Sequence, residues 1–369
     1  MAQKKILFYH PIFLDGGVER TNLLISEELS KKYKIFFASN HFSNKFNSEI
    51  KKIGIKKIKL KTNRTILSLF EFPKIIREIN PDLIFSLQMH ANVALLILNF
   101  LFFFNRLKII SCERLSPQSY NKNLKGKIIL ILAKIFYRFS KKIICNSSDL
   151  ANEIKNFSKS KNVIFIYNPT LKRNFKELSK KFKLKKKPFF KKKRKIIVSI
   201  GRLDENKNQI MLLRAINILK DKKNLDIVLI GDGKNKSYLV EYGKKIGINN
   251  NLYIYNFQKN PFPYLLNSDL KILTSNFEGL PNVLIEAMAL NIPIISTNSP
   301  TGPREILLNG KAGFLIKKND HISLSKKIQL FLENPQVFKK KKLYYKDSLK
   351  RFSYEKSLKS YVKIVENLI

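Results

Sequence analysis

Two glutamates flank a turn whose chemistry suits a phosphorylated sugar. Glu278 lies in a loop after a short apolar run, residues 270–273, and Glu286 follows in a predicted helix that opens at Pro281. Proline suits the first turn of a helix, and the free amide groups of that turn favour phosphate. Each carboxylate can accept hydrogen bonds from two neighbouring hydroxyls of a sugar. The spacing predicts a nucleotide-sugar site, although either glutamate taken singly could be an ordinary surface acid.

A second loop offers the cations that such a site needs. The predicted strand 195–200 runs into the segment Gly-Arg-Leu-Asp-Glu-Asn-Lys-Asn, and a predicted helix, 209–219, follows it. We assign Arg202 and Lys207 to the diphosphate of a nucleotide-sugar donor. A departing diphosphate gains negative charge as its glycosidic bond breaks, so fixed cations stabilise the transition state more than the ground state. Taken singly, either cation could be a solvated surface charge.

Composition is compatible with two domains and an anionic partner. The chain has 369 residues, 44% of them hydrophobic, and carries 71 lysines and arginines against 27 aspartates and glutamates, a formal charge of +44. Such a charge suits nucleic acid, anionic lipid or a phosphorylated substrate, but a general bias towards lysine, asparagine, isoleucine and phenylalanine would also produce it. The two cysteines have no metal-binding spacing, and no Asp-x-Asp pair occurs, so no metal and no cofactor are expected.

Predicted strands alternate with helices along most of the chain, which is typical of parallel sheets covered on both faces. We predict an α/β fold with a first domain at 1–169, a basic linker at 170–195, a second domain at 196–350 and a final helical segment at 351–369. The predicted strands are 4–10, 34–38, 82–87, 108–112, 141–146 and 163–167 in the first domain, and 195–200, 225–230, 252–257 and 270–273 in the second.

Ligands of such sheets gather at the carboxyl ends of the strands, which directs attention to two further places in the first domain. Gly16 and Gly17 precede the predicted helix 18–30, where they would let a ligand approach the backbone. Glu113 and Arg114 directly follow the predicted strand 108–112. They are candidates for the part of the site that binds the acceptor of the sugar. A surface ion pair between the two residues is an alternative of equal weight.

The stretch SNFEGLPNVLIEAMALNIPIISTNSPTGPREI, with its Glu-x7-Glu pattern, resembles the donor site of the retaining glycosyltransferases of family 4. The segments GRLDENKN and DGGVER are similar to further motifs of that family. The resemblance implies the GT-B architecture, in which two Rossmann-like domains face each other across a cleft and the C-terminal helix, here within 351–369, crosses back to the first domain.

The resemblance also implies roles for individual residues. Glu278 would orient the donor sugar and Glu286 would hold the ribose diol. The acceptor would attack from the face of the leaving group, with a diphosphate oxygen taking its proton; a covalent intermediate on Glu278 is the second choice. The predicted catalytic residues are Glu278, Arg202 and Lys207; the predicted donor-binding residues are Gly16, Gly17, Gly231, Asn256, Phe257, Gly279, Leu280, Pro281, Asn282 and Glu286; the predicted acceptor-side residues are Glu113 and Arg114.

We therefore expect a metal-independent hexosyltransferase that moves a hexose or N-acetylhexosamine from a nucleoside diphosphate, by family frequency UDP, to a glycan or lipid-linked acceptor in cell-surface polysaccharide or glycoconjugate synthesis. Two alternatives belong to other classes: a basic, non-catalytic protein that binds nucleic acid or an anionic surface, and a GT-B sugar-nucleotide epimerase. No zinc-finger, RRM or helix-turn-helix pattern favours nucleic acid.

Two apolar blocks bear on location. Residues 94–108 and 127–142 mix apolar side chains with lysine and arginine, and each is too short for the ~20 residues that span a bilayer. Each block is either a buried helix or an interfacial one. No signal-peptide pattern opens the chain, so we expect a cytoplasmic protein that can lie peripherally on the inner membrane.

Overall fold

The computed structural model describes residues 3–14, 16–62, 65–68, 70–121, 123–172, 175–180 and 194–369. The described chain divides into two compact units, Met1–Pro169 with Tyr354–Ile369, and Thr170–Ser353. Residues 173–174 and 181–193 of the predicted linker lie outside the described residues.

The first unit is organised around a parallel sheet. Its strands are β1 (Lys5–Tyr9), β2 (Ile12–Phe13), β3 (Lys34–Ser39), β4 (His41–Phe42), β5 (Lys56–Lys59), β6 (Leu83–Leu87), β7 (Ile109–Glu113), β8 (Lys142–Cys145) and β9 (Val163–Phe165). The seven-stranded sheet has the order β5-β3-β1-β6-β7-β8-β9, and β2 pairs with β4. Every residue of β6 and β7 is buried, because helices cover both faces of a parallel sheet.

The helices of this part of the chain alternate with its strands. They are α1 (Gly17–Leu29), α2 (Asn47–Ile53), α3 (Thr65–Ser68), α4 (Phe72–Ile79), α5 (Met89–Phe103), α6 (Leu124–Phe136) and α7 (Ser148–Ser158). The apolar faces of α4, α5 and α7 and the inward side chains of β1, β7 and β8 form one core. The order of the strands reverses direction between β1 and β6, so the loops after Tyr9 and Leu87 meet at the switch point of this sheet.

The second unit contains a six-stranded parallel sheet. Its strands are β10 (Lys195–Ile200), β11 (Leu225–Ile230), β12 (Leu252–Tyr255), β13 (Leu270–Leu273), β14 (Ile294–Thr297) and β15 (Phe314–Ile316). Their order, β12-β11-β10-β13-β14-β15, is the dinucleotide-binding order of the Rossmann fold. The switch point lies between β10 and β13, so the loops that begin at Gly201 and Thr274 adjoin each other there.

Nine helices are described in this unit, and residues of α9, α10, α14 and α15 contribute to a second core. They are α8 (Phe175–Lys180), α9 (Gln209–Asn217), α10 (Lys236–Lys245), α11 (Phe262–Leu266), α12 (Asn282–Ala289), α13 (Pro303–Ile306), α14 (His321–Glu333), α15 (Gln336–Lys342) and α16 (Tyr345–Leu349). The last helix of the chain, α17 (Tyr354–Leu368), belongs to the first unit, where Glu366 pairs with Lys32 at 2.6 Å and the carbonyl of Leu368 accepts from Lys108 Nζ at 2.6 Å.

The predicted fold class, two Rossmann-like α/β domains with parallel sheets, is confirmed. The structure differs from the expectation at the start of one helix and in five strands that were not predicted, β2, β4, β5, β14 and β15. The helix after the Gly-Leu-Pro turn begins at Asn282, and Pro281 is the extended residue that precedes it, at φ −71° and ψ 98°. Strand β5 was not predicted, because its sequence, Lys-Lys-Ile-Lys, has the lysine content of an exposed edge strand and little apolar signal.

Candidate functional site

Glu278 is held in place by its own backbone. The residue lies in the loop after β13 and is 6% exposed. Its amide donates to the carbonyl of Pro300 at 2.8 Å, and its carbonyl accepts from the amide of Thr301 at 2.8 Å. The loops that follow β13 and β14 are thereby joined, and the direction of the Glu278 side chain is fixed by both. A rigid backbone of this kind is what a positioned carboxylate requires.

The Glu278 carboxylate forms an ion pair with Lys207. Glu278 Oε1 accepts from Lys207 Nζ at 2.5 Å and from the hydroxyl of Ser275 at 2.6 Å. The side chains of Lys207 and Glu278 are 20% and 8% exposed, so the pair is sheltered but not sealed from solvent. Lys207 follows β10 and Glu278 follows β13, and the switch point brings these two strand ends together.

Asn206 ties the two loops, a contact that the sequence analysis missed. Its side-chain amide donates to the carbonyl of Phe277 at 3.1 Å, and its side-chain oxygen accepts from the amide of Phe277 at 3.1 Å. The hydroxyl of Thr274 donates to the carbonyl of Lys207 at 2.8 Å. An asparagine side chain carries one donor and one acceptor group. It can therefore make the two hydrogen bonds to Phe277 that a neighbouring backbone segment would otherwise make. Nothing in the spacing of the sequence signals this contact.

Arg202 occupies a different environment from Lys207. Its side chain is 57% exposed, and its Nε lies 3.4 Å from the carboxylate of Asp204. Asp204 also accepts from the amide of Lys207 at 2.9 Å. Of the two predicted cations, Lys207 is the one that the described residues bring against Glu278, whereas Arg202 lies at the open surface of the same loop.

Glu286 is buried on α12, with 4% of its surface exposed. Lys271, on β13, is fully buried, and its ammonium has no hydrogen-bond partner among the described residues. Burial, and to a smaller extent Lys207, lower the pKa of Lys271 to about 7 against the opposing effect of Glu286 and Glu278. Residues 270–273 look like an apolar run in the sequence, which gives no signal that Lys271 adds a buried amine close to the two glutamates.

Glycines give the loops at the switch point their close packing. Gly231 has φ +149°, and a Cβ there would overlap the carbonyl of Gly201. Gly302 has φ +88°, and a Cβ there would overlap the carbonyl of Gly279. Both conformations favour glycine, and both positions leave no room for a side chain. Gly231, a predicted donor residue, therefore lies against the first residue of the Arg202–Lys207 loop.

The remaining predicted donor residues of the second unit lie at strand or helix ends. Asn256 and Phe257 follow β12, and Asn256 Oδ1 accepts from Lys236 Nζ at 2.5 Å. Gly279, Leu280 and Pro281 are buried ahead of α12, and Asn282 Oδ1 accepts from the hydroxyl of Thr170 at 3.2 Å. Gly16 and Gly17 belong to the first unit, at the start of α1.

The first turn of α1, directly after Gly16, contains a buried acid, Glu19. Glu19 Oε1 accepts from the amide of Leu14 at 3.2 Å and lies 3.8 Å from His10 Nε2. Burial lowers the pKa of His10, and Glu19 opposes that effect. His10 follows β1, at the switch point of the first sheet.

Glu113 and Arg114 are both buried and point to different partners. Glu113 Oε1 accepts from Asn92 Nδ2 at 2.5 Å and from the hydroxyl of Tyr137, and burial raises the pKa of Glu113 to about 7. Arg114 donates to the hydroxyl of Tyr361 on α17 at 3.1 Å. Successive side chains at a strand end point to opposite faces. Because the two residues are 1% and 6% exposed, the alternative of a surface ion pair is wrong.

Neither a metal cluster nor a membrane span is found in the described part of the chain. Among these residues no group of three or more histidine, cysteine, aspartate or glutamate side chains could hold a metal ion. No helix within the described ranges combines the length and the apolar character that crossing a bilayer requires.

Family models match both units. Residues 180–362 match the glycosyl transferases of group 1, and residues 15–170 match glycosyltransferase family 4. Together the two matches include every predicted site residue.

Individual relatives agree with the family models. An uncharacterized glycosyltransferase of Methanocaldococcus jannaschii is 32% identical over 82% of this chain and 70% of its own length. The N-acetylgalactosamine-N,N'-diacetylbacillosaminyl-diphospho-undecaprenol 4-alpha-N-acetylgalactosaminyltransferase of Campylobacter jejuni is 26% identical over 91% of this chain and 92% of its own length.

A solved structure shares the fold. The crystal structure of Anabaena HepE in complex with UDP and glucose superposes with a TM-score of 0.78 at 18% identity, covering 99% of this chain and 100% of that one. The similarity in structure supports the fold, and the similarity in sequence supports the enzyme class that the motifs predicted. The chain therefore belongs to the glycosyltransferases that the group 1 and family 4 models describe.

Proposed function

We propose that this glycosyltransferase is a retaining enzyme that moves a hexose or N-acetylhexosamine from UDP to a glycan or lipid-linked acceptor, at the cytoplasmic face of a membrane, during cell-surface polysaccharide or glycoconjugate synthesis. The observation that carries the proposal is the Lys207–Glu278 ion pair at the switch point of the second sheet. The printed names of the relatives add support, since one acts on a diphospho-undecaprenol-linked sugar and one neighbour binds UDP and glucose.

Lys207 would act on the leaving group. The bond between the anomeric carbon and the diphosphate breaks, and the diphosphate takes the electron pair. An ammonium already fixed by Glu278 needs no reorganisation to meet that charge, so it stabilises the transition state selectively. Arg202, more exposed on the same loop, would screen the outer phosphate. No metal is required in this scheme.

Glu278 would orient the donor sugar while it holds Lys207. The acceptor hydroxyl oxygen would form the new bond to the anomeric carbon on the face that the diphosphate leaves, and its proton would pass to a diphosphate oxygen. A covalent intermediate on Glu278 is less favoured, because Oε1 already accepts hydrogen bonds from Lys207 and Ser275. Glu286 would accept the two ribose hydroxyls of the nucleotide.

The test is a panel of nucleotide sugars offered with and without glycan acceptors, with the product anomer identified by NMR. We expect transfer from a UDP-sugar with the α configuration of the donor preserved. Lys207→Met should lower kcat at least ~100-fold, a loss of about 2.7 kcal/mol of transition-state stabilisation. Arg214→Met, an exposed change on α9, is the control and should keep full activity.

Other outcomes separate the alternatives. An inverted product would contradict retention. A changed sugar nucleotide without any acceptor would indicate an epimerase, and no turnover together with tight nucleic-acid binding would indicate the non-catalytic class.

A further inference from the structure

Helix α6 is apolar on two opposite faces. Its inner face packs on the core of the first unit through Ala133, Ile129 and Leu130. Its outer face carries a row that we name the α6 ridge: Leu124, Ile128, Ile131 and Ile135, which are 73%, 47%, 59% and 44% exposed. Spacings of four, three and four residues place these side chains along one face of the helix. A surface helix normally carries polar residues there, so the ridge has no role in the core.

The exposed end of α5 lies beside the C-terminal end of α6. The ring of Phe100 lies 5.4 Å from that of Phe139 and 6.0 Å from that of Phe136, between centroids, and Phe136 belongs to α6. Four large side chains at this end are 45% to 79% exposed: Phe100, Leu101, Phe102 and Phe104. Monomeric soluble proteins rarely expose contiguous apolar patches larger than a few hundred Å², and larger ones mark interaction sites.

The charged residues of the segment that carries the ridge have one sign. The sequence contains no aspartate or glutamate from Arg114 to Ser148. Cations flank the ridge on α6 and continue beyond its end: Lys125, Lys127, Lys134, Arg138, Lys141 and Lys142. Apolar residues with flanking lysine and arginine are the composition of helices that lie in the plane of a membrane interface.

We propose that the α6 ridge and the end of α5 insert into the headgroup region of an anionic bilayer. This docking surface deepens the proposed function, since it rests on a lipid-linked acceptor and assigns membrane contact to one helix. A second copy of the chain would bring like charges together, because each copy has a formal charge of +44. An anionic bilayer supplies both the apolar layer and the negative charge, with each basic residue contributing roughly 1 kcal/mol.

The chain contains no tryptophan, so a single substitution creates a unique reporter. In Ile131→Trp, emission should shift to shorter wavelength with phosphatidylglycerol vesicles and be quenched by brominated lipid. The matched control is Ile322→Trp, at a site 52% exposed on α14, and it should show neither effect. Vesicle binding without any change in the Ile131→Trp spectrum would overturn the proposal.

A second pair of variants measures the contribution of the ridge. The double variant Ile128→Ser with Ile131→Ser should lower vesicle partitioning at least tenfold, while the equally exposed pair Ile218→Ser with Ile322→Ser should not. Equal partitioning of the two double variants would overturn the proposal. A change in oligomeric state that leaves vesicle binding intact would also overturn the proposal, because it would identify the ridge as a contact between copies. Light scattering measures the oligomeric state.

Activity separates this inference from the proposed function. Both double variants should hydrolyse UDP-sugar in the absence of vesicles at the wild-type rate, because the ridge belongs to the first unit and the proposed donor residues at the switch point belong to the second. Wild type that binds vesicles but turns over no nucleotide sugar would contradict the proposed function and support the docking surface. Full transfer without any affinity for vesicles would contradict the docking surface and support the proposed function.

Discussion

Lys207 Nζ and Glu278 Oε1 lie 2.5 Å apart although 71 positions separate the two residues in the chain. Each residue follows a central strand of the second sheet, and Asn206 and Thr274 hold the two loops together beside the pair. The pairing couples a cation suited to a diphosphate with a carboxylate suited to a sugar. A donor that bridges these two chemical groups would contact both at once, which is the basis of the first prediction.

Substitutions of the two glutamates should affect different steps, nucleotide binding for Glu286 and turnover for Glu278. Glu286→Gln should weaken binding of free UDP at least ~tenfold, because a charge-assisted hydrogen bond is worth about 1.5–3 kcal/mol. Glu278→Gln should leave UDP binding nearly intact, since Lys207 remains, and should reduce turnover. Isothermal titration with UDP and GDP and steady-state kinetics measure the two effects. Wild-type binding of both nucleotides by both variants would show that the donor site is assigned to the wrong residues.

Activity should survive EDTA. In the proposed mechanism, the loop cations Arg202 and Lys207 would take the place that a metal ion fills in transferases with an Asp-x-Asp pair. The initial rate of transfer should therefore be the same in EDTA and in buffer without added metal. The added-back control is manganese, which should give no gain. Complete loss in EDTA with restoration by manganese would contradict the proposed diphosphate site.

Lys271→Met should stabilise the second unit, most strongly near neutral pH. The pKa of Lys271 is lowered from 10.5 to about 7. At and below pH ~7 the unfolded and folded chains both carry the proton, so the folded state bears the full cost of the buried charge, about 1.4 kcal/mol for each unit of pKa difference. As pH rises towards 10.5 the unfolded chain alone stays protonated, and the cost disappears.

Thermal unfolding of wild type and Lys271→Met at pH 6.5 and 9.5 measures this difference. The gain in melting temperature should be clearly larger at pH 6.5. Lys326→Met, on the exposed face of α14, is the matched control and should change little at either pH. The same gain at both values would mean that the buried amine does not titrate in this window.

Glu113→Gln should show the opposite sign of pH dependence in the first unit. The pKa of Glu113 is raised from 4.5 to about 7, so wild type loses stability from this group as pH rises through that interval, and the loss is complete above it. Glutamine keeps an oxygen that can accept from Asn92 and Tyr137. The free energy of unfolding of the variant minus that of wild type should therefore be larger at pH 8 than at pH 4.5.

Chemical or thermal unfolding followed at pH 4.5 and pH 8 checks this expectation. Glu27→Gln, an exposed change on α1, serves as the control and should give a difference independent of pH. A Glu113→Gln variant that is destabilised equally at both values would show that the ionised carboxylate is needed for the fold.

The sequence by itself determined the alternation of strands and helices and the motifs that assign Lys207 and Glu278 to one donor site. In a parallel sheet the carboxyl ends of the strands share one edge, but only the strand order of the folded sheet makes β10 and β13 neighbours there. Ten of the fifteen described strands followed from short apolar runs, with boundaries that differ by at most two residues, as is usual for local patterns, whereas β2, β4, β5, β14 and β15 were not predicted. The enzyme class followed from the motifs at those strand ends.

The tertiary structure decided the contacts that depend on which face of an element meets a neighbour. In the sequence Glu113 and Arg114 look like an ion pair. In the structure their side chains point to opposite faces and contact different partners. Lys271 lies in an apolar run, and burial by the surrounding layers leaves its ammonium without a hydrogen-bond partner among the described residues. The two apolar blocks look alike in sequence, but α5 is buried along most of its length while α6 exposes its ridge. Periodicity defines the faces of a helix, and only packing determines which face is covered.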